Sequence, residues 1–332
     1  MSRLELQIDI EHWPLREPFV ISGYRWAALE LMRVRLHEGD HCGQGEGAPI
    51  FYRPQESAAT LAEQVRTLCS DGVPDRAALA ARGISNGAGN ALDAALWDLE
   101  WQRTGKPCWQ GLGGPAPEPK LTMYTITIDT PEAMAAKAQT LAAEFPLLKL
   151  KLGADDAQDV ARVEAVRAAA PEARLVIDAN AGWTVDQLRS YAPPLDRAGV
   201  ELIEQPLDPA QDALLDGLKL PVPLCADESC QDLDSLPALQ GRYQYINIKL
   251  DKIGGLTRAL KLRSLAQGLG LHTMVGNMLG TSLAMAPAFL LAQGCEFADL
   301  DGPTSFCEDR QPATQYRNGY MLVPAAGTWG GF

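Results

Sequence analysis

The sequence predicts an α/β protein, a (β/α)8-type barrel preceded by an α+β segment and followed by a short irregular tail. Two observations carry this. From about Leu121 onward, eight short apolar stretches alternate with helical ones: MYTITI, LLKLKL, RLVIDA, VELIEQ, VPLCAD, YINIKL, LHTMVG and CEFADL. Their ends recur roughly every 25 residues, the length of one strand–helix unit. Spacing alone suits a doubly wound sheet as well, but eight regular units favour a closed barrel. The residues before Leu121 lack this rhythm, so the chain divides into an α+β part (1–118), a barrel (119–310) and a tail (311–332) that leaves the barrel to pack on the first part.

Each element has its own warrant. LELQIDI (4–10) and LELMRVRL (29–36) alternate as strands do. ESAATLAEQVRTLC places Leu61, Val65 and Leu68 on one side of a helix. NALDAALWDLEWQRTG is a stronger helix, with Leu92, Ala95, Leu96 and Leu99 as its stripe and Gly105-Lys106-Pro107 as its stop. Within the barrel, LLKLKL is an apolar run that nonetheless carries Lys149 and Lys151. Residues two apart on a strand share a face, so both ammonium groups point the same way.

The net charge of −13 and a pI near 4.8 argue against non-specific nucleic-acid binding and against anionic membrane surfaces. Seven scattered cysteines without a C-x-x-C pair read as reduced thiols of a cytosolic protein. The charged opening MSRLELQIDIEHW lacks the apolar core of a leader, and no stretch is long enough to cross a membrane. A homo-oligomer is compatible with the sequence, which carries no sign of its order.

Barrel chemistry gathers at the C-terminal ends of the strands. Those ends offer Lys149 and Lys151, then Asp178 and Asn180, Glu204, Asp227 and Glu228, then Lys249, Asp251 and Lys252, and finally Asp299 and Asp301. Asp178, Glu204 and Asp227 occupy matching positions on three consecutive strands and would converge. Three unpaired carboxylates repel and lose hydration, so a hard divalent cation is the economical partner. All-oxygen ligands and no histidine pair at metal-ligand spacing favour Mg²⁺ over zinc. Salt bridges from these acids to the lysines are the plainer alternative. Lys151 and Lys249 lie on strands across the barrel, positioned to work opposite faces of one carbon. Lys149 beside Lys151 would then lower the pKa of its neighbour.

In this order, K-x-K, D-x-N, E-Q-P, A-D-E-S and N-I-K-L-D-K-x-G-G resemble the enolase superfamily, most of all its muconate-lactonizing subgroup. NALDAALWDLEWQRTGKP resembles the helix of that superfamily's capping domain, and the D-x-D of FADLDGP is similar to the dipeptide epimerases. The resemblance spans nearly the whole chain. It implies an Mg²⁺-dependent isomerase that epimerises dipeptides, such as L-Ala-L-Glu to L-Ala-D-Glu, by a 1,1-proton transfer through an enediolate. It makes Asp178, Glu204 and Asp227 the metal ligands, Lys151 and Lys249 the acid/base pair, Lys149 their pKa partner, and Asp299 and Asp301 the grip on the substrate ammonium. Asn180, Asp251 and Lys252 are expected to support the ligands. In the capping part, Arg25 and Arg53 would pair with an acidic substrate side chain, or Trp26, Phe51 and Tyr52 would line an apolar pocket. Rival expectations are a cycloisomerase or o-succinylbenzoate synthase of the same subgroup, a non-catalytic metal- or ligand-binding barrel, and a metal-dependent hydrolase, the last disfavoured by the lack of strand-end histidines.

Overall fold

The computed structural model describes residues 4–332; the first three residues of the opening segment lie outside the described residues. The chain opens as a three-stranded antiparallel sheet, β1 (Glu5–Ile21), β2 (Tyr24–Glu38) and β3 (His41–Gly47), followed by helices α1 (Ala58–Leu68), α2 (Arg76–Ala81) and α3 (Gly87–Thr104). The first two strands run well past their apolar cores. ISGYRW (21–26) forms the tip of the β1–β2 hairpin, turning at Gly23 with φ +73°.

The third strand, HCGQGEG, carries no strand signal of its own. Its glycines are there for close approach. A Cβ on Gly43, Gly45 or Gly47 would lie 2.2, 2.2 and 2.1 Å from the carbonyl oxygens of Ala95, Ala91 and Gly87, so only glycine lets α3 lie on this strand. The opposite side of α3 meets the barrel. Asp93 accepts hydrogen bonds from Thr257 N–H (3.0 Å) and Thr257 Oγ1 (2.6 Å), and Trp97 Nε1 donates to the same hydroxyl at 2.9 Å. Packed on both sides, α3 is buried continuously from Gly87 to Leu99, so it exceeds the single apolar stripe expected of a surface helix. Gly105, at φ +67°, ends it as expected.

A short β4 (Lys120–Leu121) leads into eight parallel strands: β5 (Tyr124–Ile126), β6 (Leu147–Lys151), β7 (Arg174–Asp178), β8 (Val200–Glu204), β9 (Leu224–Ala226), β10 (Tyr245–Lys249), β11 (His272–Gly276) and β12 (Phe297–Ala298). They pair in sequence order. Met123 N–H donates to Ala298 O at 2.9 Å and joins the two ends of the ring. All eight apolar stretches are strands. The connections are less regular than the spacing suggests: a 3₁₀ segment (Pro209–Leu215) follows β8, and the only α-helix between β9 and β10 is the single turn Leu236–Leu239.

Alternation sorts the strand residues into two cores. Leu148, Leu150, Leu175, Ile177, Ile203, Ile246 and Ile248 face the helices, whereas Leu147, Val176, Leu202, Cys225, Met274 and Phe297 fill the barrel interior. Counting two residues onward from the inner set reaches Lys149, Asp178, Glu204, Asp227 and Asp299. The polar layer is thus the next tier of the same inward face.

The tail packs first on the barrel and then on α3. β13 (Tyr316–Arg317) and β14 (Tyr320–Met321) extend β4. Beyond them, Trp329 Nε1 donates to Ala94 O at 2.9 Å and Gly330 N–H to Asp98 Oδ1 at 2.8 Å. No helix among the described residues is long and apolar enough to cross a membrane.

Candidate active site

The inward tier at the strand ends holds six buried carboxylates, Asp178, Glu204, Asp227, Glu228, Asp299 and Asp301, and four buried lysines, Lys149, Lys151, Lys249 and Lys252. Asp178, Glu204 and Asp227 each present an oxygen within 4.8 Å of the other two. Register explains the convergence: Lys151 pairs with Asp178 across β6–β7, and Asp178 with Glu204 across β7–β8.

The lysines divide the acids between them. Lys151 Nζ lies 2.6 Å from Asp178 Oδ2, and Lys249 Nζ lies 2.7 Å from Asp227 Oδ2. These two stand on β6 and β10, with the triad strands between, and both line one cavity of about 460 Å³ between the barrel and the α+β part. Lys149 sits deeper, 2.7 Å from Glu204 Oε2, 2.8 Å from Asp299 Oδ2 and 3.1 Å from Asp178 Oδ2. Burial opposes its charge, but the carboxylates of Asp299, Glu204 and Asp178 outweigh burial and hold Lys149 protonated far above the usual lysine range. Its ammonium shares the Asp178 oxygen with Lys151.

Positive charge still falls short by two. Glu228, a fourth carboxylate near the triad, is pushed up to about 8 by burial and by Asp227 and Asp178, and its Oε2 has no hydrogen-bond partner. Glu204 is pushed up to about 7 by burial and by Asp178. Asp178 stays at about 2, because Lys151 and Lys149 overcome its burial. A site with surplus buried negative charge and a convergent all-oxygen donor set suits a hard divalent cation.

Supporting groups hold the triad in place. Asn180, at φ +42°, donates its N–H to Asp178 Oδ1 at 2.8 Å and Nδ2 to Glu228 Oε1 at 3.3 Å. Lys252 Nζ reaches Asp227 Oδ1 at 2.5 Å. Sequence reading missed two more. Asn247 Nδ2 donates to Glu204 Oε1 at 2.8 Å, and its parity with Lys249 on the inward face was the signal for it. Gln205, at φ +32°, turns its amide under β9, where Oε1 accepts the Asp227 N–H at 2.9 Å; nothing in the E-Q-P motif announces that direction.

Three expected residues do other work. Asp251 does not touch the triad: Oδ1 accepts Ala48 N–H (3.0 Å) and Asn90 Nδ2 (2.9 Å), tying the barrel to the α+β part, because it lies in the helical turn after β10 and points out of the ring. Arg53 borders the cavity, but its guanidinium donates to Glu56 Oε1 (3.0 Å), Ser85 O (2.7 Å) and Gln231 Oε1. Arg25 is exposed and does not line the cavity; on β2 it alternates with Tyr24 and Trp26, which do.

At the far side of the cavity stand Asp299 and Asp301. One oxygen of each is engaged: Asp299 Oδ2 by Lys149, and Asp301 Oδ2 by Thr125 N–H at 2.6 Å. Asp299 Oδ1 is buried without a partner. Asp301 is pushed up to about 7 by burial and by Asp299. Two carboxylates with unsatisfied capacity at a pocket wall could accept a cation.

Known proteins resemble this chain in sequence and fold. Residues 133–328 match the family model described as enolase C-terminal domain-like. The chain is 40% identical over 318 residues to the L-Ala-D/L-Glu epimerase of Escherichia coli K12, covering 94% of this chain and 97% of that protein. It is also 40% identical over 303 residues to an N-acetyl-D-glutamate racemase of Pseudoalteromonas, covering 90% and 94%. An enolase family member from Agrobacterium tumefaciens with homology to dipeptide epimerases, solved with sodium and L-Ala-L-Glu, has a TM-score of 0.93 at 42% identity, covering 98% of this chain and all of that one. A dipeptide epimerase from Enterococcus faecalis, solved with Mg and L-Leu-L-Tyr, has a TM-score of 0.91 at 26% identity, covering 99% of each. With a family match across most of the barrel and relatives aligned nearly end to end, the chain belongs to the enolase C-terminal domain-like family.

Proposed function

We propose that this protein is an Mg²⁺-dependent dipeptide epimerase, an isomerase that inverts the α-carbon of the C-terminal residue of its substrate by a 1,1-proton transfer. The observation that carries this reading is the placement of Lys151 and Lys249 on opposite sides of one buried carboxylate triad, both facing one cavity. The relatives' activities support it.

Asp178, Glu204 and Asp227 would hold Mg²⁺. When bound, the ion supplies positive charge that stabilises the two oxygens of the enediolate formed when an α-proton leaves a carboxylate substrate. The chain's own residues do the rest. With the substrate carboxylate at the triad, the neighbouring carbon lies between β6 and β10. One lysine, as free amine, takes the α-proton from its face; the other, as ammonium, gives a proton to the opposite face. The stereocentre inverts, and the two lysines exchange protonation states. Lys149 stays charged as a fixed counter-ion beneath Asp178 and Glu204. Asp299 and Asp301 receive the substrate ammonium, which sits one residue away from the reacting carbon in a dipeptide. The Lys base with Mg²⁺ is the handling of α-protons known for enolase-type sites.

The Pseudoalteromonas relative motivates a second reading, racemisation of an N-acylamino acid. That substrate has no ammonium to offer Asp301 or the unpartnered Oδ1 of Asp299. The test is proton NMR in D2O with Mg²⁺ and paired free and N-acetylated compounds. Loss of the C-terminal α-proton signal in free dipeptides is the expected result, and chelation followed by dialysis should abolish it until Mg²⁺ is restored. Exchange confined to acetylated compounds overturns the dipeptide reading, and exchange without metal overturns the role of the triad.

A further inference from the structure

On the barrel side the cavity is lined by Lys151, Lys249, Asp299 and Asp301, with Thr125, Asn277, Met278 and Leu279 beside them; the α+β side has no part in the proton transfer. There the hairpin tip supplies Phe19, Ile21, Tyr24 and Trp26, and the segment after β3 supplies Phe51. Register makes this a single face. Phe19 pairs with Trp26 and Ile21 with Tyr24 across β1–β2, while Val20 pairs with Arg25 on the other face. Directly opposite residues share a side, so one face presents four apolar or aromatic groups and turns the arginine away.

The rings form a continuous wall. Tyr24 and Trp26 stack with centroids 5.4 Å apart, and Phe51 meets them edge-on at 4.9 and 5.5 Å. Tyr24 is 40% exposed and Trp26 and Phe51 are only half-buried, so apolar surface faces an open cavity. Among the described residues, the only cation this part brings to the cavity is Arg53, whose guanidinium is engaged on three acceptors. The acids beside the wall are Glu30, which is exposed, and Glu56, which is tied to Arg53 and to Ile50 N–H at 3.1 Å.

We infer that the residue undergoing inversion carries an apolar side chain, aliphatic or aromatic, seated against Phe19, Ile21, Tyr24, Trp26 and Phe51. The inference rests on the dipeptide reading, since it assumes that carboxylate and ammonium ends are held by the barrel. With those ends fixed, the remaining substituent on the reacting carbon projects toward the α+β part. A glutamate side chain there would leave water with no counter-ion and two carboxylates nearby. A leucine or phenylalanine side chain would cover the exposed rings. This side-chain preference departs from the glutamate named for two relatives and agrees with others named for hydrophobic dipeptides.

The experiment measures α-proton exchange by the Mg²⁺-loaded protein on L-Ala-L-Leu, L-Ala-L-Phe, L-Ala-L-Glu, L-Ala-L-Lys, N-acetyl-L-Leu and N-acetyl-L-Glu. The expected kcat/KM for the Leu or Phe dipeptide exceeds that for the Glu and Lys dipeptides by at least about tenfold. Equal or faster exchange of the Glu or Lys dipeptide overturns the inference. If only the acetylated pair exchanges, the dipeptide reading fails while the leucine-to-glutamate ratio within that pair still decides the nature of the wall; exchange by none overturns both. Trp26→Arg, placing a cation on the wall, should move the ratio toward glutamate by about tenfold or more. An unchanged ratio in the folded variant overturns the assignment of Trp26, and the wild-type ratio stands whether or not that variant folds.

Discussion

Replacing Lys149 with Met keeps the side chain out to Cε and removes the ammonium, and with it the charge, at the centre of the polar tier. Its ammonium contacts Glu204, Asp299 and Asp178 at 2.7, 2.8 and 3.1 Å with no exposure to solvent. At an effective dielectric of about 20, one such contact is worth roughly 6 kcal/mol before desolvation. Desolvation of the ions offsets most of the three-contact sum, and breaking a buried pair costs a net of about 3–5 kcal/mol because the partners stay behind uncompensated. Unfolding entropy near 2.1 cal/mol/K per residue, over 332 residues, comes to about 0.7 kcal/mol/K. The melting temperature of metal-free Lys149→Met should therefore fall by about 4–7 °C. Differential scanning calorimetry on chelated and Mg²⁺-loaded protein is the assay. Mg²⁺ should raise the variant's melting temperature more than the wild type's, since the cation then replaces missing positive charge. A metal-free variant that melts within about a degree of wild type would refute the claim that Lys149 offsets the triad.

Lys151→Ala and Lys249→Ala should each abolish epimerisation while leaving solvent exchange of the α-proton, where it survives, to only one enantiomer, and to opposite enantiomers in the two variants; NMR of each diastereomer in D2O reads this, and near wild-type turnover by either variant removes that lysine from the pair. Asp301→Asn should lower kcat/KM for a free dipeptide by roughly two to three powers of ten and affect an N-acetylated one much less; an equal loss on both makes the aspartate structural. Gly45→Ala should destabilise the protein by about 1–3 kcal/mol through overpacking, since its Cβ would lie 2.2 Å from Ala91 O and 2.8 Å from the Ala94 Cβ; a wild-type melting curve would show that α3 is free to move off β3.

What the sequence determined by itself was whatever obeys strand parity. The eight barrel strands, the inward pairing of Lys149 with Lys151, and the in-register acids of β7, β8 and β9 follow from a period of two along each strand and a fixed place at its end. The tertiary structure decided what no local period encodes. HCGQGEG carries no strand signal of its own, and the need for its glycines is seen only where α3 lies on them and a Cβ would meet the helix backbone. Asp251 reads as a site acid, being two residues from Lys249, but the chain has already bent into a helical turn there, and its carboxylate serves the contact with Ala48 and Asn90. Arg53 has the right charge for an acidic ligand, yet partners distant in sequence, Ser85 and Gln231, take up its donors. Parity also separates Arg25 from Trp26, but only the β1–β2 register and the seat of the hairpin over the barrel show which face meets the cavity. A side chain's chemistry is local and legible; whether its charge is free depends on partners that only the folded chain brings within a few ångströms.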